Sequence, residues 1–203
     1  MNNIDFEKIT CAAVSDVMEG LGIMDPGIIN MVPGKKIMGT ALTVKCYPGS
    51  ILTVHKAILE AKAGEVLVVD DEGDQRGAVF GELMAMECQK RLIAGVVIDG
   101  PVRDVNDLIR LKFPTFARYR TPRVGTNRRL GKTKLEISCG GIVVRTADYI
   151  FGDDDGVAVI PEKLVQKILA AAMKVEAKED ELASQIKNGD ALSELIGLSN
   201  MIR

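Results

Sequence analysis

EGDQRGAVFGELMAMECQKRLIAGVVIDGPVRD, residues 72–104, sets the architecture of this chain. Glycines at 73, 77 and 81 precede a helical pattern running from Glu82 to about Arg91. A β-branched strand, Gly95 to Asp99, then ends in Asp-Gly-Pro, and Arg103 and Asp104 stand side by side where the next element should begin. Just upstream, GEVLVVDD at 64–71 is a second short apolar run, closed by acids. Strand, helix, strand and helix in this succession predict βαβ units with parallel strands, whose ligands gather at the carboxyl ends of the strands.

The flanks extend that pattern. ILTVHKAILEAK at 51–62 has helical spacing, and DFEKITCAAVSDVMEGL at 5–21 predicts a first helix, whole or in two pieces, ending at Gly22. The Gly- and Pro-rich segment from Pro26 to Gly49 reads as loop and strand. From 113 to 160 the texture changes to short strands, FPTFARY, KLEISCGGIVV and YIFGDDDGVAVIP, predicting an antiparallel or mixed β portion. Pro161 opens a long helix that stops at Gly189. A helix over 161–189 is longer than a compact domain of this size needs, so it is expected at the interface with a neighbouring subunit. The expectation is one domain over 1–203.

Composition narrows the chemistry. With 47% hydrophobic and 27% charged residues the chain is of ordinary globular type, and a net charge of −2 supplies no electrostatic reason to expect nucleic acid. No apolar run approaches the roughly 20 residues that cross a bilayer, and MNNIDFEKIT lacks the pattern of a secretory leader, so a cytoplasmic protein without a membrane partner is expected. Four scattered cysteines form no CxxC pair and are expected as buried thiols. A single histidine, His55, rules out a two-histidine metal site within one chain, and is itself expected in the core or an interface. Any metal must then rest on oxygen, which points to Mg²⁺ or Mn²⁺.

Arg103 offers a permanent planar cation for a 2-oxo acid carboxylate or an enolate oxygen. Asp104 is a candidate metal ligand, and Asp107, one turn on, a candidate holder of metal-bound water. Equally, Asp104 suits an N-cap and Asp107 the acid of a capping box. Gly81, Glu82, Leu83 and Met84 open the preceding helix, whose free N–H groups can receive an anion. The acids at 153–155 before Gly156 read as a solvated turn, and the basic stretch Arg118–Lys134 as a solvated or subunit-facing loop.

GEVLVVD, FGELMA, AGVVIDGPVRDV, FPTFAR and GDDDGVAVIP, in that order, resemble the RraA-like family, which includes 4-hydroxy-4-methyl-2-oxoglutarate aldolases and regulators of ribonuclease E. The resemblance runs from Ser15-Asp16 to the C-terminal helix, and is sharpest at Glu82, Arg103, Asp104 and Asp107. It implies a layered α/β/β/α domain assembled as a homotrimer or hexamer. It further implies an aldolase in which Arg103 stabilises the pyruvate enolate and Asp104 ligates Mg²⁺ or Mn²⁺. Glu82 would work as a proton shuttle on a metal-bound water, while the Leu83 and Met84 amides hold the carboxylate of a small 2-oxo acid. Glu179, in the long helix, would reach a neighbour's site. Glu82 stands where some aldolases carry aspartate, and Thr146-Ala147-Asp148 where Pro-Gly-Asp is common. The other function the resemblance allows is a non-catalytic regulator docking on a ribonuclease or helicase.

Overall fold

The computed structural model describes residues 5–202. In chain order these form α1 (Cys11–Val17), β1 (Ile29–Asn30), β2 (Ile37–Lys45), α2 (Leu52–Glu60), β3 (Glu65–Asp70) and α3 (Glu82–Lys90). There follow β4 (Gly95–Val102), α4 (Val105–Leu111), β5 (Thr115–Arg120), β6 (Lys132–Thr133), β7 (Ile137–Cys139) and β8 (Ile142–Val144). The chain closes with β9 (Tyr149–Asp153), β10 (Gly156–Ile160), α5 (Val165–Lys187) and α6 (Leu192–Leu195). The main sheet has the order β1-β5-β4-β3-β2-β9-β10, with β6 added to β2 and β7-β8 paired separately.

β2, β3, β4 and β5 are mutually parallel, as the βαβ reading requires: Val66 pairs with Gly95, and Val96 with Thr115. The two-residue period of each strand divides its side chains between two cores. Leu67, Val69, Val96, Ile98 and Ala117 face α2, α3 and α4. Val66, Val68, Val97 and Phe116 face the other way, onto Ile137, Cys139 and Val144 of the β7-β8 hairpin and Ile150, Val157 and Val159 of β9-β10. The outer face of β9-β10, with Phe151, Ala158 and Ile160, packs on Val14 of α1 and on Ile168, Leu169 and Ala172 of α5. Three cores between four layers make the expected α/β/β/α arrangement.

Some boundaries differ from expectation. The first helical stretch breaks at Ile9: a 3-10 turn over Phe6–Lys8 gives way to α1, capped by Thr10, whose hydroxyl accepts from Ala13 N at 3.1 Å. α1 also stops at Val17 rather than Gly22, because Glu19, Gly20 and Gly22 all turn to positive φ. β4 runs past Asp99 to Val102 through an irregularity between Ile98 and Pro101. Pro161 opens only a 3-10 turn at Glu162–Leu164 before α5 begins.

Candidate active site

α3 and α4 follow the adjacent parallel strands β3 and β4, so their N-termini open on the same side of the sheet. The segment ahead of α3 is stitched along the end of β4. Val79 N donates to Pro101 O at 3.1 Å, Phe80 bridges Val102, and Arg103 N donates to Phe80 O at 3.1 Å. Gly81 is thereby pressed against Arg103 and Asp104. A Cβ at Gly81 would lie 2.6 Å from Asp104 Oδ2 and 3.1 Å from Arg103 Cγ, so any side chain there displaces the pair.

Asp104 occupies the N-cap position of α4 in left-handed backbone, φ 58° and ψ 38°, and its side chain does not cap that helix. It swings back to α3 instead. Asp104 Oδ2 accepts from Glu82 N at 3.2 Å and lies 3.2 Å from Arg103 Nε. The capping expectation for Asp104 is therefore corrected: the residue caps the neighbouring helix, from a left-handed backbone conformation that aspartate adopts more readily than most residues. The free N–H groups of Leu83 and Met84, second and third in α3, have no partner within the helix by construction.

A cavity of about 150 Å³ is lined by Gly81, Leu83, Met84, Arg103 and Asp104, together with His55 of α2. A shallower groove of about 330 Å³ continues over Arg103 and Asp104 to Arg120. His55 is exposed on the cavity wall, not in the core, which corrects the core half of the expectation for it. Glu82 and Asp107 stand beside the cavity rather than in its lining. Arg110, a residue the sequence reading passed over, ties them together: Arg110 Nη2 pairs with Asp107 Oδ1 and lies 3.8 Å from Glu82 Oε1. Its i,i+3 spacing from Asp107 was the available signal. Glu179 lies on the exposed distal half of α5 and contributes nothing to its own chain's cavity.

The other singled-out segments have structural roles. Asp153 accepts from Cys11 N at 2.7 Å, and Asp154 from Asn30 Nδ2 and Gly34 N, so these acids clasp loops around a turn. Asp148 Oδ2 accepts from Arg145 N at 2.8 Å and closes the Thr146-Ala147-Asp148 turn. All four cysteines are buried and free. Burial pushes the thiols of Cys11, Cys46 and Cys88 up to about 12.

Among the described residues no group of three or more His, Cys, Asp or Glu is arranged around a metal position. The oxygen donors at hand still suit a hard divalent ion. Both contacts of Asp104 fall on Oδ2, and Mg²⁺ and Mn²⁺ are commonly held by one or two carboxylates with water completing the shell.

The fold and site define an α/β protein with a cavity at the carboxyl ends of parallel strands, lined by the first turn of α3, one arginine and one carboxylate. The RraA-like family model, described as Aldolase/RraA, matches residues 11–159, and the chain belongs to that family. It is 35% identical over 175 residues to a protein of Halalkalibacterium halodurans named "Putative 4-hydroxy-4-methyl-2-oxoglutarate aldolase", covering 86% of this chain and 83% of the relative. A crystal structure of an uncharacterized protein from Pseudomonas syringae pv. tomato superposes with a TM-score of 0.84 at 30% identity, covering 94% of both chains. The RNA-processing inhibitor RraA from Thermus thermophilis superposes with a TM-score of 0.68 at 25% identity, over 74% of this chain and 92% of that one.

Proposed function

We propose that this protein is a divalent-metal-dependent lyase that cleaves a 4-hydroxy-2-oxo acid, such as 4-hydroxy-4-methyl-2-oxoglutarate, into pyruvate and a second carbonyl compound. Oxaloacetate decarboxylation belongs to the same proposal, because both reactions pass through the pyruvate enolate. The observation that carries it is the convergence of Arg103, Asp104 and the first turn of α3 on one cavity. An aldolase name on a relative 35% identical over most of both chains supports the reaction class.

In this reading the carboxylate of the 2-oxo acid sits on the Leu83 and Met84 amides, at the positive end of α3. The Arg103 guanidinium faces the 2-oxo oxygen and holds the negative charge that grows there as the C3–C4 bond breaks. Asp104, beside Arg103, would hold Mg²⁺ or Mn²⁺, with Asp107 supporting its water shell. The ion would supply a Lewis acid against the same oxygen. Glu82 handles the proton that leaves the C4 hydroxyl and the one that returns to C3, and Arg110 keeps Glu82 and Asp107 in register. Glu179 would come from a neighbouring subunit of a trimer or hexamer, and the setting would be the cytoplasm, in keeping with four free cysteines.

The test is pyruvate release by the purified protein from 4-hydroxy-4-methyl-2-oxoglutarate and from oxaloacetate, with Mg²⁺ and with EDTA. Metal-dependent release from both is expected, and Arg103→Ala should abolish it while leaving the fold intact. Full turnover in that variant, or release indifferent to chelation, would refute the assignment. No release from either acid would favour a non-catalytic regulatory role, in line with the Thermus relative described as an RNA-processing inhibitor.

A further inference from the structure

Asp71 follows β3 directly and is fully buried. Its Oδ1 accepts from Gly49 N at 2.9 Å, and its enclosed Oδ2 has no partner. Oδ2 is pressed on Gly100, in the irregular stretch of β4. A Cβ on Gly100 would lie 2.8 Å from that oxygen and 2.8 Å from the Asp71 Cβ, so only glycine leaves room for the carboxyl. Among the described residues no cation pairs with Asp71: Lys45 is bound to Asp70 and Glu72, and Arg76 Nε lies 2.6 Å from Asp74 Oδ1. The titratable groups facing it are Asp74, Asp70 and Glu72 from its own turn, and the buried Cys46 thiol just after β2.

The two backbone positions that Asp71 touches support the Arg103 cavity from opposite sides. On the first side, Gly49 O accepts from Thr126 N at 2.7 Å, Thr126 O from Ile51 N at 2.8 Å, and Ala78 O from Gly125 N at 2.9 Å. The crossing is tight, since a Cβ at Gly125 would lie 2.7 Å from Gly49 O and 2.8 Å from Ala78 O. On the second side, Gly100 leads to Pro101, whose carbonyl accepts from Val79 N at 3.1 Å, and then to Arg103, whose N–H donates to Phe80 O at 3.1 Å. Ile51, Ala78 and Val124 from the first set, and Val79, Phe80 and Arg103 from the second, line the cavity.

We propose that Asp71 is a positioning residue for the Arg103 cavity: uncharged, it lets the Gly49 and Gly100 segments close on each other behind the cavity wall, and ionised, it parts them. The inference rests on the reading of that cavity as the reacting site. A carboxylate in this position has one N–H donor, three acids around it and no counter-ion, so water must enter between the two segments to solvate it. Their separation moves Ile51, Val124 and Arg103 relative to the first turn of α3, and a misplacement near 1 Å typically costs about 10²-fold in rate. Burial, with Asp74, Asp70 and Glu72 adding to it against the Gly49 N–H, pushes the carboxyl up to about 7. The closed form therefore prevails below that pH and is lost as pH rises through it.

Hydrogen exchange on the full chain tests the coupling without turnover. After correction for base-catalysed exchange, protection of the amides at Gly49, Ile51, Gly125 and Thr126 should be at least about tenfold lower at about pH 8.5 than at about pH 6. Asp71→Asn keeps the acceptor for Gly49 N but cannot ionise, and its protection should not change with pH. In pyruvate release, kcat/KM should fall at least about tenfold over the same range with one apparent pKa near 7. That limb should vanish in Asp71→Asn and move to lower pH in Asp74→Asn, which removes a neighbouring negative charge. Protection lost equally in Asp71→Asn, a limb that persists in it, or a limb that Asp74→Asn leaves in place would overturn the inference. Should Asp71→Asn fail to fold, the shift in Asp74→Asn decides. A protein that releases no pyruvate loses the lyase reading, and the role of Asp71 then stands or falls on the exchange measurement.

Discussion

Gly81 concentrates the demands of the site in one position without a side chain. Its φ of −166° is ordinary extended backbone, so the requirement is space, not conformation. Gly81→Ala would push Asp104 Oδ2 off the Glu82 amide and shift Arg103, and a misplacement near 1 Å typically costs about 10²-fold in rate. We expect pyruvate release to fall by that order with little change in melting temperature, a pairing that kinetics and calorimetry would check together. Asp71 presents a different single-residue problem. It is 0% exposed, Oδ1 accepts from Gly49 N at 2.9 Å, and Oδ2 has no partner. Burial, reinforced by Asp74, Asp70 and Glu72, pushes its carboxyl up to about 7 from an ordinary 3.8. Between those values the folded protein binds more protons at Asp71 than the unfolded chain does. Stability therefore declines as pH rises from about 4 to about 7 and levels off above, by up to about 4 kcal/mol from this group. Asp71→Asn should flatten that decline in denaturant titrations across the range, and an unchanged slope would count against it.

Elements were more legible than their placement. β3, α3 and β4 stand within a few residues of where composition and spacing put them, because a β-branched run and a helical stripe each bury themselves in only one way. The Arg103-Asp104 pairing with the α3 N-terminus was legible too, since parallel neighbours must open on one edge. What could not be read was how β7 to β10 fold over the parallel strands, because short apolar runs do not say which face of a sheet they cover. The placement of residues 123–126 was hidden for a related reason: a charged loop looks solvated until its hydrogen bonds to Ala78 and Gly49 clamp it beside the Arg103 cavity. α5 shows both cases. Its first turns bury Leu169 at 0% exposure against β9-β10, whereas Ile186 remains 42% exposed. Leu169→Ala should cost about 2–5 kcal/mol in equilibrium unfolding. Ile186→Asp should leave the core alone and lower the molecular mass in light scattering, if the distal half of α5 packs on a neighbour as proposed.

The molecule as a whole has a cavity with an arginine, a carboxylate and helix amides, and a 23-residue helix whose acidic distal half carries Glu179 away from that cavity. Under the proposed function these two features meet in an assembly. In a cyclic oligomer each chain would lend Glu179 to the next, so a complete site draws on two subunits. Arg103→Ala removes one contribution and Glu179→Ala the other, and each homogeneous variant should be inactive or nearly so. Unfolding the two together in equal amounts and refolding them forms mixed oligomers. A site then recovers only where an intact Arg103 meets an intact Glu179 from the adjacent chain, about one site in four for random mixing. Pyruvate release from the mixture should rise to about that fraction of the natural protein, while the variants refolded separately stay silent. A mixture no more active than its components would place Glu179 in the same chain's chemistry or outside it. Full activity in Glu179→Ala alone would remove the residue from the site and leave Arg103 and Asp104 to work within one subunit.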